Sequence, residues 1–425
     1  VKLHVVVPAF NCMDYLPQCL ASIATQGRLA DTVTIIDDAS TDPEQAAYLR
    51  RAVLEDMSAG REGRWRVVFN DRNQEVARNL WEYHQALDPA PDDVIVEVDG
   101  DDRLAPGALA RIAGAYAADP DVWLTYGSYE YWPDPGYWDN PALPYPPEVV
   151  SAASYRTHRV LFNHPETWRA FLWQRLTEAD LQDDLGRWVR RTWDYTVMMP
   201  LLEMAGTHWR HLPDVNYLYT HTNPASHVRI PEHTAEAEAE AHDIRRRPPK
   251  LPVPDEHIAN PRRKRDLLVS LAKRYGMHDV IETGTGMGDL AEWLRHAFRN
   301  VWTVELDDAS HQRCLARFAG VENVMLYPGD SSLFVAKFAQ RGPHLFFLDA
   351  HYSGPGTAKG VTDTPVREEL AAIYADGLDH VAVIDDARLF GTDPAYPSPL
   401  EVGVLVSPRY VSFVDDMIVI TPDPL

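Results

Sequence analysis

The stretch "VIVEVDGDD", residues 94–102, decides how the N-terminal half of this chain reads. An apolar, β-branched run that ends in Asp99, Asp101 and Asp102 has the pattern of a buried parallel strand. The carboxyl end of such a strand opens into the crevice where open α/β sheets hold ligands. Upstream, "LHVVVPAF" (3–10) and "DTVTIID" (31–37) are two further runs of this kind. The segment between them, "CMDYLPQCLASIATQ" (12–26), puts Leu16, Cys19, Leu20 and Ile23 on one helical face. Strand, helix, strand is the opening of a parallel α/β sheet. "RWRVVFN" (64–70) adds a strand, and "PGALARIAGAYAADP" (106–120) a helix with Pro106 near its first turn. Residues 123–147, crowded with aromatics and prolines, are expected to form a loop.

A second series begins after a joint. "HTAEAEAEAHDIRRRPPKLPVPDE" (233–256) combines an Ala/Glu run, which Thr234 can cap as a helix, with a basic triplet and a proline-rich spacer. Beyond it, "DVIETGTG", "DLAEWLRHAF", "NVWTVEL", "HLFFLDA", "EELAAIYADG" and "HVAVIDD" alternate strand and helix. The fold class is therefore α/β with two consecutive domains, 1–232 and 261–425, joined by a linker at 233–260. Ile-Asp-Asp-Ala occurs at 36–39 and again at 384–387, but the flanking sequence does not correspond further, so no repeat is inferred.

A formal net charge of −23 argues against a nucleic-acid partner, which requires a basic face to displace counterions. Cys12, Cys19 and Cys314 cannot all pair and lack metal-ligand spacing, so a reducing, cytoplasmic location is expected. No apolar run reaches the length of a signal peptide or a membrane span. Peripheral membrane contact and oligomeric state are left open.

The aspartates at the ends of the first-domain strands, Asp37, Asp38, Asp99, Asp101 and Asp102, repel one another unless a hard cation compensates them. Mg2+ or Mn2+ with oxygen ligands suits that set. The bland alternative is a row of solvated strand caps. "VVVPAFN", "IIDDASTD", "VARN" and "VEVDGDD" together resemble the nucleotide-sugar-binding half of a family-two glycosyltransferase of the GT-A type, over residues 1–230. The resemblance implies that Pro8 and Asn11 frame the base of a UDP-sugar or similar donor and that Asp38 accepts from its ring. Arg78 is then expected near the phosphates, Asp99 on ribose and metal, and Asp101 on the metal. It makes Asp194, in "RTWDYTVMMPLLEMAG" (191–206), the base of an inverting transfer to a glycan, glycoside or lipid-linked acceptor, with Glu203 the weaker alternative. "LPDVNYLYTHTNPASH" (212–227) resembles the segment that closes over the donor, and His221 would complete the metal shell. Many members carry an Arg where this chain has Thr220.

In the second domain, Gly284, Gly286 and Gly288 follow a strand and precede a helix, where backbone amides approach anionic groups. The third glycine arrives one residue too early for the dinucleotide fingerprint, which disfavours a nicotinamide enzyme. With Glu282, Glu305 and Asp330, the turn resembles the S-adenosylmethionine pocket of class I methyltransferases, over residues 261–425. Asp349, Asp385 and Asp386 end two later strands and resemble the metal site of sugar O-methyltransferases of the macrocin and novobiocin-pathway kind. That implies Mg2+ or Mn2+ held by the three aspartates, Asp349 as base and His351 as a second candidate. "YSGPGTAKGVTDTP" (352–365) is expected to be a mobile lid. The expectation is a bifunctional glycosyltransferase and O-methyltransferase of polysaccharide biosynthesis. The alternative keeps the transferase and makes the C-terminal domain a non-catalytic binding or scaffold module.

Overall fold

The structure is a computed structural model that describes the chain except for residues 28–29, 59–63, 135–141, 225–230, 255, 341, 351–363 and 376. It divides into two compact units, Val1–Val253 and Pro254–Leu425. Among the described residues, no helix is long and apolar enough to cross a membrane.

The first unit is built on eight strands: β1 (Leu3–Ala9), β2 (Thr32–Asp37), β3 (Trp65–Phe69), β4 (Val94–Glu97), β5 (Arg103–Leu104), β6 (Leu124–Tyr131), β7 (Glu166–Arg169) and β8 (Trp209–Tyr219). Their order in the sheet is β3-β2-β1-β4-β7-β6-β8-β5. The first four are parallel, and β7 runs antiparallel to both β4 and β6. Val5, Val7, Val33, Ile35, Val94 and Val96 pack one face of the sheet against Leu16, Cys19, Leu20 and Ile23 of the helix Leu16–Ala24. The apolar spacing of that helix thus buries the four residues it aligns. The chain order reverses at β1, which places the ends of β1, β2 and β4 around one crevice.

Two expectations are corrected in this unit, the loop at 123–147 and the Thr234 cap. Residues 124–131 form β6, with Leu124 to Tyr129 buried between β7 and β8, so the aromatic segment begins as interior strand. Pro106 stands beside the first turn of the helix Ala108–Ala118, as expected, with Gly107 at φ 77° as the N-cap. Within 233–260 the Ala/Glu run is helical, as expected, in Pro231–Arg246, and the proline-rich stretch that follows leads into the helix Glu256–Tyr275. Thr234 lies inside the first turn of the former rather than at its cap.

The second unit has seven strands: β9 (Asp279–Thr283), β10 (Asn300–Glu305), β11 (Val324–Pro328), β12 (Leu345–Leu348), β13 (Val381–Ile384), β14 (Tyr410–Val414) and β15 (Met417–Thr421). The order is β11-β10-β9-β12-β13-β15-β14, parallel up to β13, with β15 antiparallel to β13 and β14. Both faces are covered. Val280, Leu345 and Val383 face one core, while Ile281, Phe346 and Ile384 face the other. That explains the near-continuous apolar runs in these strands. Here the order reverses at β9, so the ends of β9, β10, β12 and β13 share one edge.

Candidate active sites

The wall of the first crevice is made by side chains that hold backbone. Asp38 is buried and accepts hydrogen bonds from Asn70 Nδ2 at 2.7 Å, Gln74 N at 2.8 Å and Glu75 N at 2.9 Å. Asp37 accepts from Gln45 Nε2 at 2.7 Å. Asn11, at φ 47°, donates its N–H to Ser40 Oγ and accepts from Thr41 N at 2.8 Å. Pro8 lies within β1, and its carbonyl accepts from Gly100 N at 3.0 Å. Asp38 and Asn11 thus clamp the 70–75 and 39–41 segments. A carboxylate has about four acceptor positions, so Asp38 keeps one for a ligand.

At the end of β4, two of the three aspartates tether the chain that follows β8. Asp102 Oδ1 accepts from Thr220 N at 2.6 Å, and Asp101 Oδ2 accepts from Asn223 Nδ2 at 2.7 Å. His221 is carried between these anchors, edge-on to Tyr131, and its Nδ1 is buried without a hydrogen-bond partner. Asp99 donates its backbone N–H to Tyr217 Oη at 3.0 Å. Burial, then Asp101 and Asp194, push the Asp99 carboxyl up to about 8, and burial, then Asp101 and Asp99, raise Asp102 well above the usual range. Such mutual repulsion fits a divalent cation in the crevice. The expected ligand set of Asp99, Asp101 and His221 is not drawn together, however. Among the described residues of this unit, the group at metal-ligand spacing is Glu97, Asp99 and His164.

Asp194 lies in the first turn of the helix Trp193–Ala205. The residues before it are fixed by Glu240, which accepts from Arg190 N, Arg191 N and Thr192 N at 2.8–3.0 Å. The Ala/Glu run is therefore part of the site's scaffold. Burial raises the Asp194 carboxyl to about 6, against the two backbone N–H groups that lower it. A carboxyl poised there can exchange a proton near neutral pH. Glu203 is corrected: it is fully buried, forked onto Arg156 at 2.6 and 2.8 Å, and accepts from Lys250 N. It holds structure and has no access to an acceptor. Arg78 pairs with Glu82 at 2.8 Å and lies over Trp188 beside an open cleft of about 610 Å³. Those contacts do not join it to the β4 aspartates.

In the second unit, the turn after β9 is forced. Gly284 has φ +81°, and a Cβ there would meet Asp349 O at 2.6 Å. A side chain at Gly288, φ +79°, would run into Phe318. The glycine turn therefore lies directly against the end of β12. Glu305 accepts from Gly286 N at 2.7 Å and from Asp307 N at 2.8 Å, so it braces the turn. Asp330 caps the helix Ser331–Ala339 through Ser332 N. Glu282 is buried, with Oε2 unpartnered, and burial pushes it to about 8.

Asp349, Asp385 and Asp386 do come together at metal-ligand spacing. Lys264, which the sequence did not single out, enters the group. Its ammonium bonds Asp385 and stands 3.6 Å from Asp349 Oδ2. Burial would lower it, but Asp349, Asp385 and Asp386 outweigh that and raise it. Burial, then Asp349, lift Asp385 to about 6. Arg388 bridges Asp386 and Asp416. Three carboxylates at that spacing suit a divalent cation with oxygen ligands. His351 and the 352–363 part of the expected lid lie outside the described residues.

Residues 4–169, within the N-terminal unit, match the model of Glycosyl transferase family 2. The O-antigen biosynthesis protein RfbC of Myxococcus xanthus is 31% identical over 125 residues, 29% of this chain and 9% of that protein. The chain spans about a tenth of the curated relatives it matches. Among solved structures, the mannosyltransferase PcManGT from Pyrobaculum calidifontis, in complex with GDP-Man and Mn2+, aligns with TM-score 0.40 and 21% identity, covering 64% of this chain and 75% of that one. The O-methyltransferase TomG from Streptomyces achromogenes, in complex with SAM, aligns with TM-score 0.29 and 18% identity, covering 40% and 84%.

Proposed function

We propose that the chain joins two activities of glycan synthesis. The N-terminal unit transfers a sugar from a nucleotide-sugar donor to a glycan or glycoside acceptor, with inversion. The C-terminal unit O-methylates a sugar hydroxyl from S-adenosylmethionine. The observation that carries the first is the family 2 match across the segment that ends in Asp99, Asp101 and Asp102. Asp194 stands near enough to raise the Asp99 carboxyl. Asp194 takes the acceptor hydroxyl proton as that oxygen bonds to the anomeric carbon. The bond from that carbon to the diphosphate oxygen breaks, and its electron pair leaves with the nucleoside diphosphate. Asp38 and Asn11 shape the base pocket. Asp99 and Asp101 would hold Mg2+ or Mn2+, which neutralises charge on the leaving diphosphate.

The approach of the Gly284 turn to the Asp349 backbone, next to the Asp349, Asp385 and Asp386 group, supports the second activity, in which that turn would face the methyl donor. Asp349 accepts the hydroxyl proton while the oxygen bonds to the methyl carbon, and the carbon–sulfur pair stays on sulfur. Asp349, Asp385 and Asp386 would hold a divalent cation that acidifies the hydroxyl. The Lys264 contact with Asp385 favours a second reading, in which the carboxylates are structurally neutralised and the unit only binds. Metal-dependent hydrolysis of a panel of nucleotide sugars, with the acceptor product identified by mass spectrometry, tests the first activity. Calorimetry with S-adenosylhomocysteine and Mg2+ tests the second, and no heat of binding would sink it.

A further inference from the structure

β4 and β7 pair Val94 with Arg169, Ile95 with Trp168 and Val96 with Thr167. One step further, this register sets Glu97, the last residue of β4, against Glu166, the first of β7. Both are buried, 0% and 1% exposed, and none of their four carboxylate oxygens has a fixed hydrogen-bond donor, the Asp99 carboxyl being the acid that interacts with Glu97. Like charges directly opposite in a sheet repel, and a buried carboxylate without a partner is costly. Among the described residues, no Lys or Arg forms an ion pair with Glu97, Asp99, Glu166 or Asp194, so either a bound proton or a cation balances them.

His164 completes the picture. Its ring stacks on Tyr217, with centroids 4.8 Å apart, and is buried. Nδ1 stands 3.7 Å from Glu97 Oε2 and Nε2 3.8 Å from Asp99 Oδ2. These are too long for hydrogen bonds, and Nδ1 has no other partner. One ligand atom each from Glu97, Asp99 and His164 falls within 4.8 Å of the others, a span that one ion can bridge.

We propose that Glu97, Asp99 and His164, with Glu166 behind them, form an interior binding site for a divalent cation. It does not include Asp101 and is distinct from the metal proposed for the donor, with which it shares Asp99. An imidazole among carboxylates suits Mn2+ better than Ca2+ or Mg2+. The site stands on the β4–β7 register and the unpartnered oxygens, and not on the glycosyl reading.

The test is equilibrium Mn2+ binding to the full chain, counted from the free-ion EPR signal. An Asp385→Asn background silences the C-terminal group. Two Mn2+ are expected in that background, one after Glu97→Gln and one after Asp101→Asn. In metal-free protein, Glu97→Gln should raise Tm by relieving the buried repulsion while shrinking the rise in Tm that Mn2+ induces. His164→Asn, which leaves the acids in place, should also lose one ion and guards against misfolding of the first variant. Unchanged stoichiometry in both Glu97→Gln and His164→Asn would overturn the site and leave a proton shared by Glu97 and Glu166. Sugar transfer with one Mn2+ bound would also overturn it, while leaving the proposed function intact. Two bound Mn2+ without donor hydrolysis would do the reverse.

Discussion

Ile-Asp-Asp-Ala ends a parallel strand in each unit, yet the two aspartate pairs meet different surroundings. At Asp37-Asp38 the acceptors are largely consumed internally, by Gln45, Asn70 and the backbone of Gln74 and Glu75. At Asp385-Asp386 the partners are cations, Lys264 and Arg388, and a third carboxylate, Asp349, crowds in. The same idiom exposes carboxylates at a sheet edge because that is where an α/β sheet turns polar. The groups that pack against each strand end decide whether the pair becomes a clasp or a cation site. In the first unit the proposed cation role falls instead to the end of β4, at Asp99 and Asp101.

This contrast can be broken at several points. The largest effect should come from Asp194→Asn, which removes the base. Transfer should fall by about 10²–10⁴-fold, the range for a positioned general base. Donor affinity, measured by calorimetry, should hold, and a variant with full kcat would remove Asp194 from the mechanism. Next is Lys264→Met, which leaves Asp385 buried beside Asp349 without its ammonium. A loss of about 3–5 kcal/mol in unfolding free energy is expected from breaking a buried pair. Mg2+ should restore part of it if the triad holds metal, and a denaturant series with and without Mg2+ reads both. Asp38→Ala should cost about 1–3 kcal/mol, because buried donors on the 70–75 segment lose their acceptor. Asp386→Ala should cost less, its main partner Arg388 being largely exposed. Equal losses would erase the distinction between clasp and cation site.

The smallest effect is on pH. Asp194 must be ionised to accept a proton, and its carboxyl is raised to about 6 from an ordinary 3.8. With saturating Mn2+ to hold Asp99 ionised, transfer should therefore level off about one pH unit above 6 and approach a tenfold decline per unit well below it. Methylation should not share that inflection.

Periodic patterns made much of this architecture legible. The Leu16, Cys19, Leu20, Ile23 face and the β-branched runs of β1, β2, β9 and β13 needed only local spacing. β6 escaped because "LTYGSYEY" is covered on both faces and does not alternate, and Gly127 sits where a Cβ would strike Pro165. The Ala/Glu helix passed for a joint because nothing local reveals that Glu240 would fix residues 190–192, some fifty positions away. Site residues divide in the same way. Strand-end aspartates are visible as breaks in apolar runs. Asn223 on Asp101 and Lys264 on Asp385 are separated by 122 and 121 residues, and only the folded chain brings them together. Glu97 did leave a signal, a lone acid inside an otherwise apolar strand.

The central claim is that two carboxylate groups in one chain run two separate chemistries. It is tested most directly by measuring donor-sugar transfer and methyl transfer from S-adenosylmethionine side by side in Asp101→Asn and Asp385→Asn chains. The account predicts that Asp101→Asn loses transfer and keeps methylation, and that Asp385→Asn does the opposite. Both activities surviving in both variants, or both failing in each folded variant, would contradict it.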